Sequence, residues 1–180
     1  MALSKIDVAN MLTGVAPLAN GGTGATSFTA GITMADQFRL TTTFDGSANP
    51  ITSNWERNDT VFDKIGTGMS ESSGIFTFPS TGIYKVEFLA LSNKSSTSQY
   101  SAAKINITTD NSSYTERATG YSHVGIAGAW SGAYVQTNID VTDTTNIKVQ
   151  FGVVNQAVTS FIGSSSANKT TATFTRLGDT

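Results

Sequence analysis

The sequence predicts an all-β fold, an antiparallel β-sandwich preceded by a short N-terminal arm. Three observations carry this. From Met34 to the end, short segments alternate apolar and polar residues with a period of two, turn residues separate them, and no second helical period intervenes. Charged residues make up only 13% of the chain, against roughly 25% in an average globular protein. Ser, Thr, Asn and Gly take their place, which suits strands with Thr-rich outer faces. Finally, 180 residues accommodate one ordinary domain and an appendage.

The arm comes first. Ser4 and Asp7 have the spacing of a capping pair, and Val8, Met11, Leu12 and Val15 form one apolar stripe at i, i+3, i+4, i+7. Gly14 and Pro17 should end this candidate helix. So short a helix is marginal alone in water and needs a partner against which to bury its stripe. The Gly-rich element Asn20 to Gly24 then reads as a flexible joint. Residues 1–31 are thus an anchoring arm and linker, and residues 32–180 the sandwich domain.

Within the domain, Phe38, Leu40 and Thr42 suggest a first strand and Asn49-Pro50 a turn. Trp55 to Thr60 is a polar stretch around one aromatic, Val61 to Ile65 a short strand, and Gly66 to Ser73 a loop. Gly74 to Asn93 reads as a hairpin around Pro79 to Gly82, with Phe76 and Phe78 on one face of its first strand. Tyr84, Val86, Phe88 and Ala90 occupy one face of the second strand, Lys85 and Glu87 the other. Ser92 to Gln99 follows as a polar loop. Strands are then expected at Ala103 to Ile107, Tyr114 to His123, Tyr134 to Val141, Ile147 to Val154 and Thr171 to Leu177. Gly125 to Gly132, carrying Trp130, and Ser160 to Lys169 are expected loops. The expected core comprises Phe76, Phe78, Tyr84, Val86, Phe88, Phe151 and Phe174. Eight or more short strands suit a jelly roll.

The run Gly-Ile-Phe-Thr-Phe-Pro-Ser-Thr-Gly-Ile-Tyr-Lys-Val-Glu-Phe, residues 74–88, resembles the signature of the C1q/TNF-like jelly roll. There, a strand ending in Phe-x-x-Pro precedes Gly-x-Tyr-x-Phe. Ile139 to Phe151 occupies the place of that family's Leu-x-x-Gly-Asp-x-Val-x-Leu segment, with Asp143-Thr144-Thr145-Asn146 in place of Gly-Asp. Thr171 to Leu177 resembles its closing strand without the glycine. The resemblance implies a compact homotrimer with outward apolar residues packed around a threefold axis. Ile83, Leu89 and Leu91, apolar yet opposite the core face, are the expected trimer interface. Asn20-Gly21-Gly22-Thr23-Gly24-Ala25-Thr26 in turn resembles an element found near the start of phage tail-fibre and other virion appendage proteins.

Composition excludes several chemistries. The net charge of -2 comes with no Lys/Arg cluster, so no nucleic-acid partner is expected. No cysteine is present to make disulfides or thiolate metal sites. No apolar run approaches the ~20 residues of a membrane span, so no membrane insertion is expected. The first residues lack the pattern of a secretory signal. Gly22-Thr23-Gly24 lacks a preceding strand and a following Gly-Lys-Ser/Thr, so it is not read as a phosphate loop.

Neither catalysis nor a cofactor is expected. The single histidine, His123, has no nucleophile motif beside it. Asp110, Asp140 and Asp143 could contribute oxygen ligands to calcium, but turn residues bonding their own backbone explain them better. Glu56, Asp59 and Asp63 read as a solvated loop rather than a hydrolytic pair. Trp55, Trp130, Tyr100, Tyr114 and Tyr121 fit core or subunit contacts better than sugar platforms.

The two resemblances together imply a virion protein, a trimeric fibre or knob on a phage tail or head. Residues 1–31 would join it to other virion proteins, and the domain would attach to a host-surface glycan or envelope protein. A structural decoration or adaptor without ligand is the alternative. A glycan-degrading tailspike is a third class, disfavoured by the lack of clustered acids.

Overall fold

The computed structural model describes residues 31–94, 98–156 and 159–180. The arm, with Val8, Met11, Leu12, Val15 and the Gly-rich joint, lies outside the described residues. Thirteen strands are described: β1 (Ala35–Leu40), β2 (Phe44–Asp45), β3 (Trp55–Arg57), β4 (Lys64–Ile65), β5 (Ser70–Ser72), β6 (Ile75–Thr77), β7 (Gly82–Lys94), β8 (Ser98–Thr108), β9 (Thr115–Val124), β10 (Trp130–Val141), β11 (Lys148–Asn155), β12 (Thr159–Phe161) and β13 (Thr171–Gly178). All pair antiparallel, in two sheets.

In the first sheet β7 is the spine. Along one edge it pairs with β10 from end to end; along the other it pairs with β13 and then β12. β1 follows β13, and β3 and β4 continue beside β1. The second sheet runs β5-β6-β11-β8-β9. This is a jelly-roll sandwich.

The expected hairpin at Gly74 to Asn93 is corrected here. β6 pairs with β5 and β11, whereas β7 belongs to the other sheet. The turn Pro79 to Gly82 therefore carries the chain across the sandwich, and the Phe78 and Tyr84 rings meet across it at 4.7 Å in a tilted arrangement. Alternation alone cannot tell a hairpin from such a crossing, because both bury the same residues. The actual hairpin is β5–β6: Ser72 pairs Ile75 around Ser73-Gly74, both at positive φ, as a two-residue type I′ turn requires. Gly74 is also obligatory for space, since a Cβ there would strike the Ile51 carbonyl.

Several expected loops are strand instead. Gly66 to Ser73 contains β5, Trp55 opens β3, and Trp130 opens β10. β7 runs on through Lys94 where a polar loop was expected from Ser92. Ser160 to Lys169 begins inside β12, whose Phe161 is fully buried. The expected strand at Val61 to Ile65 shrinks to Lys64–Ile65, with Val61 in solvent.

The core lies between the sheets. Phe76, Phe78, Tyr84, Val86, Phe88, Phe151 and Phe174 are each at most 2% exposed. Phe76 is the hub, its ring within 5.1–5.4 Å of Phe38, Trp55, Phe151 and Phe174. These rings come from both sheets, so they hold the layers together. Phe76→Ala or Phe88→Ala should each cost about 3–5 kcal/mol in denaturant unfolding. A loss under about 1 kcal/mol in both would refute this packing.

Candidate interaction surface

The outer face of the β1–β13–β7–β10 sheet is built by register. Leu89 stands between Thr171 and Tyr134, Glu87 between Thr173 and Gln136, and Lys85 between Thr175 and Asn138. Leu91 lies opposite Gly132, and Ile83 opposite Asp140. Ile83, Leu89 and Leu91 are half-buried on this face. Tyr134 is half exposed beside them, and Trp130 and Tyr121 are more exposed still. Glu87, Leu89, Tyr134, Thr171 and Thr173 line a hollow of about 180 Å³.

Sequence reading placed Tyr134 in a strand but gave it no role. Its hydroxyl donates to Glu87 Oε1 at 2.5 Å, and Lys85 Nζ lies 2.9 Å from the same oxygen. The Glu87 bond raises the Tyr134 pKa to about 12, helped by burial and by the carboxylate charge. Burial pushes the Glu87 carboxyl up, but the bonds from Tyr134 and Lys85 outweigh it and leave its pKa lowered. The cross-strand position Leu89–Tyr134 was legible once β7 and β10 were known to pair.

β9 and β10 are edge strands of different sheets and close one side of the sandwich. They approach so nearly that a Cβ on Gly120 would collide with the Tyr134 carbonyl. Tyr100 and Tyr121 stack edge-to-face at 5.7 Å near this side.

At the rim of the first sheet sits a charge cluster that the sequence did not reveal. Arg39 is buried, with Nε 2.9 Å from Glu56 and Nη2 2.8 Å from Asp59. Glu56 and Asp59 are therefore bound to a buried cation, which corrects their reading as merely solvated. Asp36, also buried, accepts from Arg57 Nε at 3.1 Å and from the Met69 amide at 2.7 Å. The Arg57 guanidinium lies 4.9 Å over the Phe38 ring.

The remaining candidates are local. Asp110 caps its turn, accepting from the Ser112 and Ser113 amides and the Thr108 hydroxyl, bonds that hold its carboxyl well below the usual range. Asp143 does likewise with the Thr145 amide and the Asn146 side chain, and its pKa is lowered. Asp140 points outward from β10. Among the described residues no group of three or more His, Cys, Asp or Glu is placed to hold a metal. His123 is exposed on β9, where its carbonyl is near the Ser131 hydroxyl. Trp55 is half-buried against the core and donates to the Ile51 carbonyl.

The strands also sort the connections by end. The chain enters β1 and leaves β13 at one end of the sandwich, since Ala35 pairs Thr175. β7 and β9 end, and β8, β10 and β12 begin, at the opposite, far end.

No protein-family model matches the chain, and no curated protein matches it. Solved structures do. Eiger TNF from S. frugiperda superposes with a TM-score of 0.60 at 12% identity, over 81% of this chain and 93% of that one. Murine APRIL at pH 5.0 gives 0.58 at 11% identity, over 80% and 98%. Murine APRIL at pH 8.0 gives 0.57 at 10% identity, over the same shares. At such identities the likeness shows the fold: a TNF-like jelly roll.

Alkaline titration tests the outer-face bond. The absorbance change lost in Tyr134→Phe should have its midpoint near pH 12, and Glu87→Gln should bring it down toward the ordinary ~10 of tyrosine. A Tyr134 midpoint near 10 in the parent would refute the bond.

Proposed function

We propose that this chain is a trimeric virion appendage of a phage, a fibre or knob that binds the host surface, and not an enzyme. The observation that carries the trimer is the apolar content of an otherwise polar outer face. Ile83, Leu89 and Leu91 are only half-buried there, with Tyr134, Trp130 and Tyr121 exposed along the adjoining edge. Contiguous apolar surface of this kind marks association sites. Each such side chain contributes roughly 1.5–3 kcal/mol when removed from water. The TNF-like fold supports the same reading, as does the resemblance of residues 74–88 to the C1q/TNF-like signature.

The virion assignment rests on residues 20–26, which resemble the element of tail-fibre and appendage proteins. In this reading the Val8, Met11, Leu12 and Val15 stripe joins the protein to other virion proteins. Host glycan or envelope protein is met by the connections that follow β9 and β12, which are built mainly of small residues on a rigid scaffold, as binding loops tend to be.

Light scattering of the full chain should give three copies per particle. Leu89→Asp should release folded monomers at micromolar concentration, since a buried unpaired carboxylate costs more than the leucine contributed. A parent that is monomeric, or a Leu89→Asp variant that stays trimeric, would reject this interface.

Deleting residues 1–31 separates the two tasks. The truncated protein should no longer join particles yet should still compete with intact particles for host cells. Normal incorporation would put the anchor in the domain. Loss of incorporation without any host binding would favour a structural decoration or adaptor over an attachment protein.

A further inference from the structure

The inner face of β7 is apolar through Ala90 and then turns polar: Ser92 and Lys94 follow at the far end, both fully buried. Lys94 is the notable one. Its ammonium nitrogen is shielded from solvent and has no hydrogen-bond partner, and no ion pair involves it among the described residues. Arg39 and Arg57 meet the same difficulty, and each is answered by a carboxylate. Lys94 has none.

The register sets a hydroxyl residue and a ring residue on its face of the sheet. Thr159 of β12 is its register partner, and Phe161 is paired with Ser92 two residues back on the same face. Thr159, Phe161 and Ser101 are fully buried as well. Ser101 belongs to β8 and shares a 2.9 Å bond with the Ser122 hydroxyl of β9. Only one of the two hydroxyls can donate in that bond, so the other keeps a hydrogen for another acceptor. The Ser92 hydroxyl is already spent on the Ser131 carbonyl at 3.0 Å. The end of the sandwich thus holds a buried positive charge that no carboxylate among the described residues pairs with.

We propose that the far end of the sandwich holds a small inorganic anion of the halide class on the Lys94 ammonium. A buried charge without a partner is strongly unfavourable, and natural interiors pair such groups or neutralise them. An unpartnered buried polar group calls for a missing water or ion. Burial by itself pushes the Lys94 ammonium pKa down, and an anion in contact would offset that. A halide needs only a cation and one or two donors.

The test uses the full chain. Melting is followed while gluconate, a bulky and weakly binding anion, is exchanged for chloride at constant ionic strength. Stabilisation by a ligand that binds only the folded state grows with its concentration, so a melting rise of roughly 2–5 °C is expected. Lys94→Met should abolish this chloride dependence, whereas Lys104→Met, which removes a lysine paired with Glu116, should keep it. No rise in the parent, or an equal rise in Lys94→Met, overturns the proposal. Should Lys94→Met fail to fold, crystals of the parent grown in bromide decide. An anomalous peak in contact with Lys94 Nζ supports the site, and its absence refutes it.

Discussion

Everything else in this domain depends on a layer of aromatic rings that faces both sheets at once. Phe76 comes from the short strand β6, yet its ring contacts Phe38, Trp55, Phe151 and Phe174, from three strands of the first sheet and one of the second. Phe88 of β7 closes the layer against Phe151 at 4.9 Å. Such pairs, in edge-to-face and tilted geometries, add about 0.5–1.5 kcal/mol beyond the area they bury. Strands of facing sheets do not bond each other's backbone, although the β2–β3 connection reaches across to β11 through Ala48–Val153 and Ile51–Phe151. The rings are therefore what fixes the spacing and register of one layer on the other, and with them the position of every outward-facing side chain.

The rim of that layer is held differently. β3 and β4 are too short to be held by pairing alone. Buried charge supplements it. Arg39 draws in Glu56 and Asp59, and Asp36 binds both Arg57 and the Met69 amide. Arg57 also covers the Phe38 ring, so the edge of the aromatic layer and the ionic rim meet at one side chain. Removing one partner from such a pair would leave the other buried and uncompensated, which is why these short segments can hold a defined path.

The period of two made the core legible. Tyr84, Val86, Phe88 and Ala90 could be placed on one face from sequence because a strand offers only two faces. Sheet membership was not legible. Pro79 to Gly82 looks like a hairpin turn, and only the pairing of β6 with β11 and of β7 with β10 and β13 shows the crossing between sheets. The rim charges were hidden for a related reason. Arg39 and Glu56 are neighbours only because β1 and β3 pair, and Trp-Glu-Arg-Asn-Asp-Thr carries no alternation to announce a strand. On the outer face, Ile83, Leu89 and Leu91 were visible as apolar exceptions. Tyr134 was not, since its meaning comes from standing opposite Leu89 and donating to Glu87.

These facts give β7 two separable functions. Its even-numbered residues from Tyr84 to Ala90 face the rings, and its odd-numbered residues from Ile83 to Leu91 face outward. An outward substitution leaves the aromatic layer untouched, so it can alter the proposed association without unfolding the domain. An inward one does the reverse. Because β10 pairs with β7 along its whole length, the same division extends across the sheet, with Val135 and Ile139 inward and Tyr134 outward. A surface with few charges strengthens this separation. In the proposed trimer, with little long-range repulsion between copies, association on the outer face is governed by local fit of Leu89, Leu91 and Tyr134, while the Lys85–Glu87–Tyr134 bonds keep the polar groups within that patch satisfied.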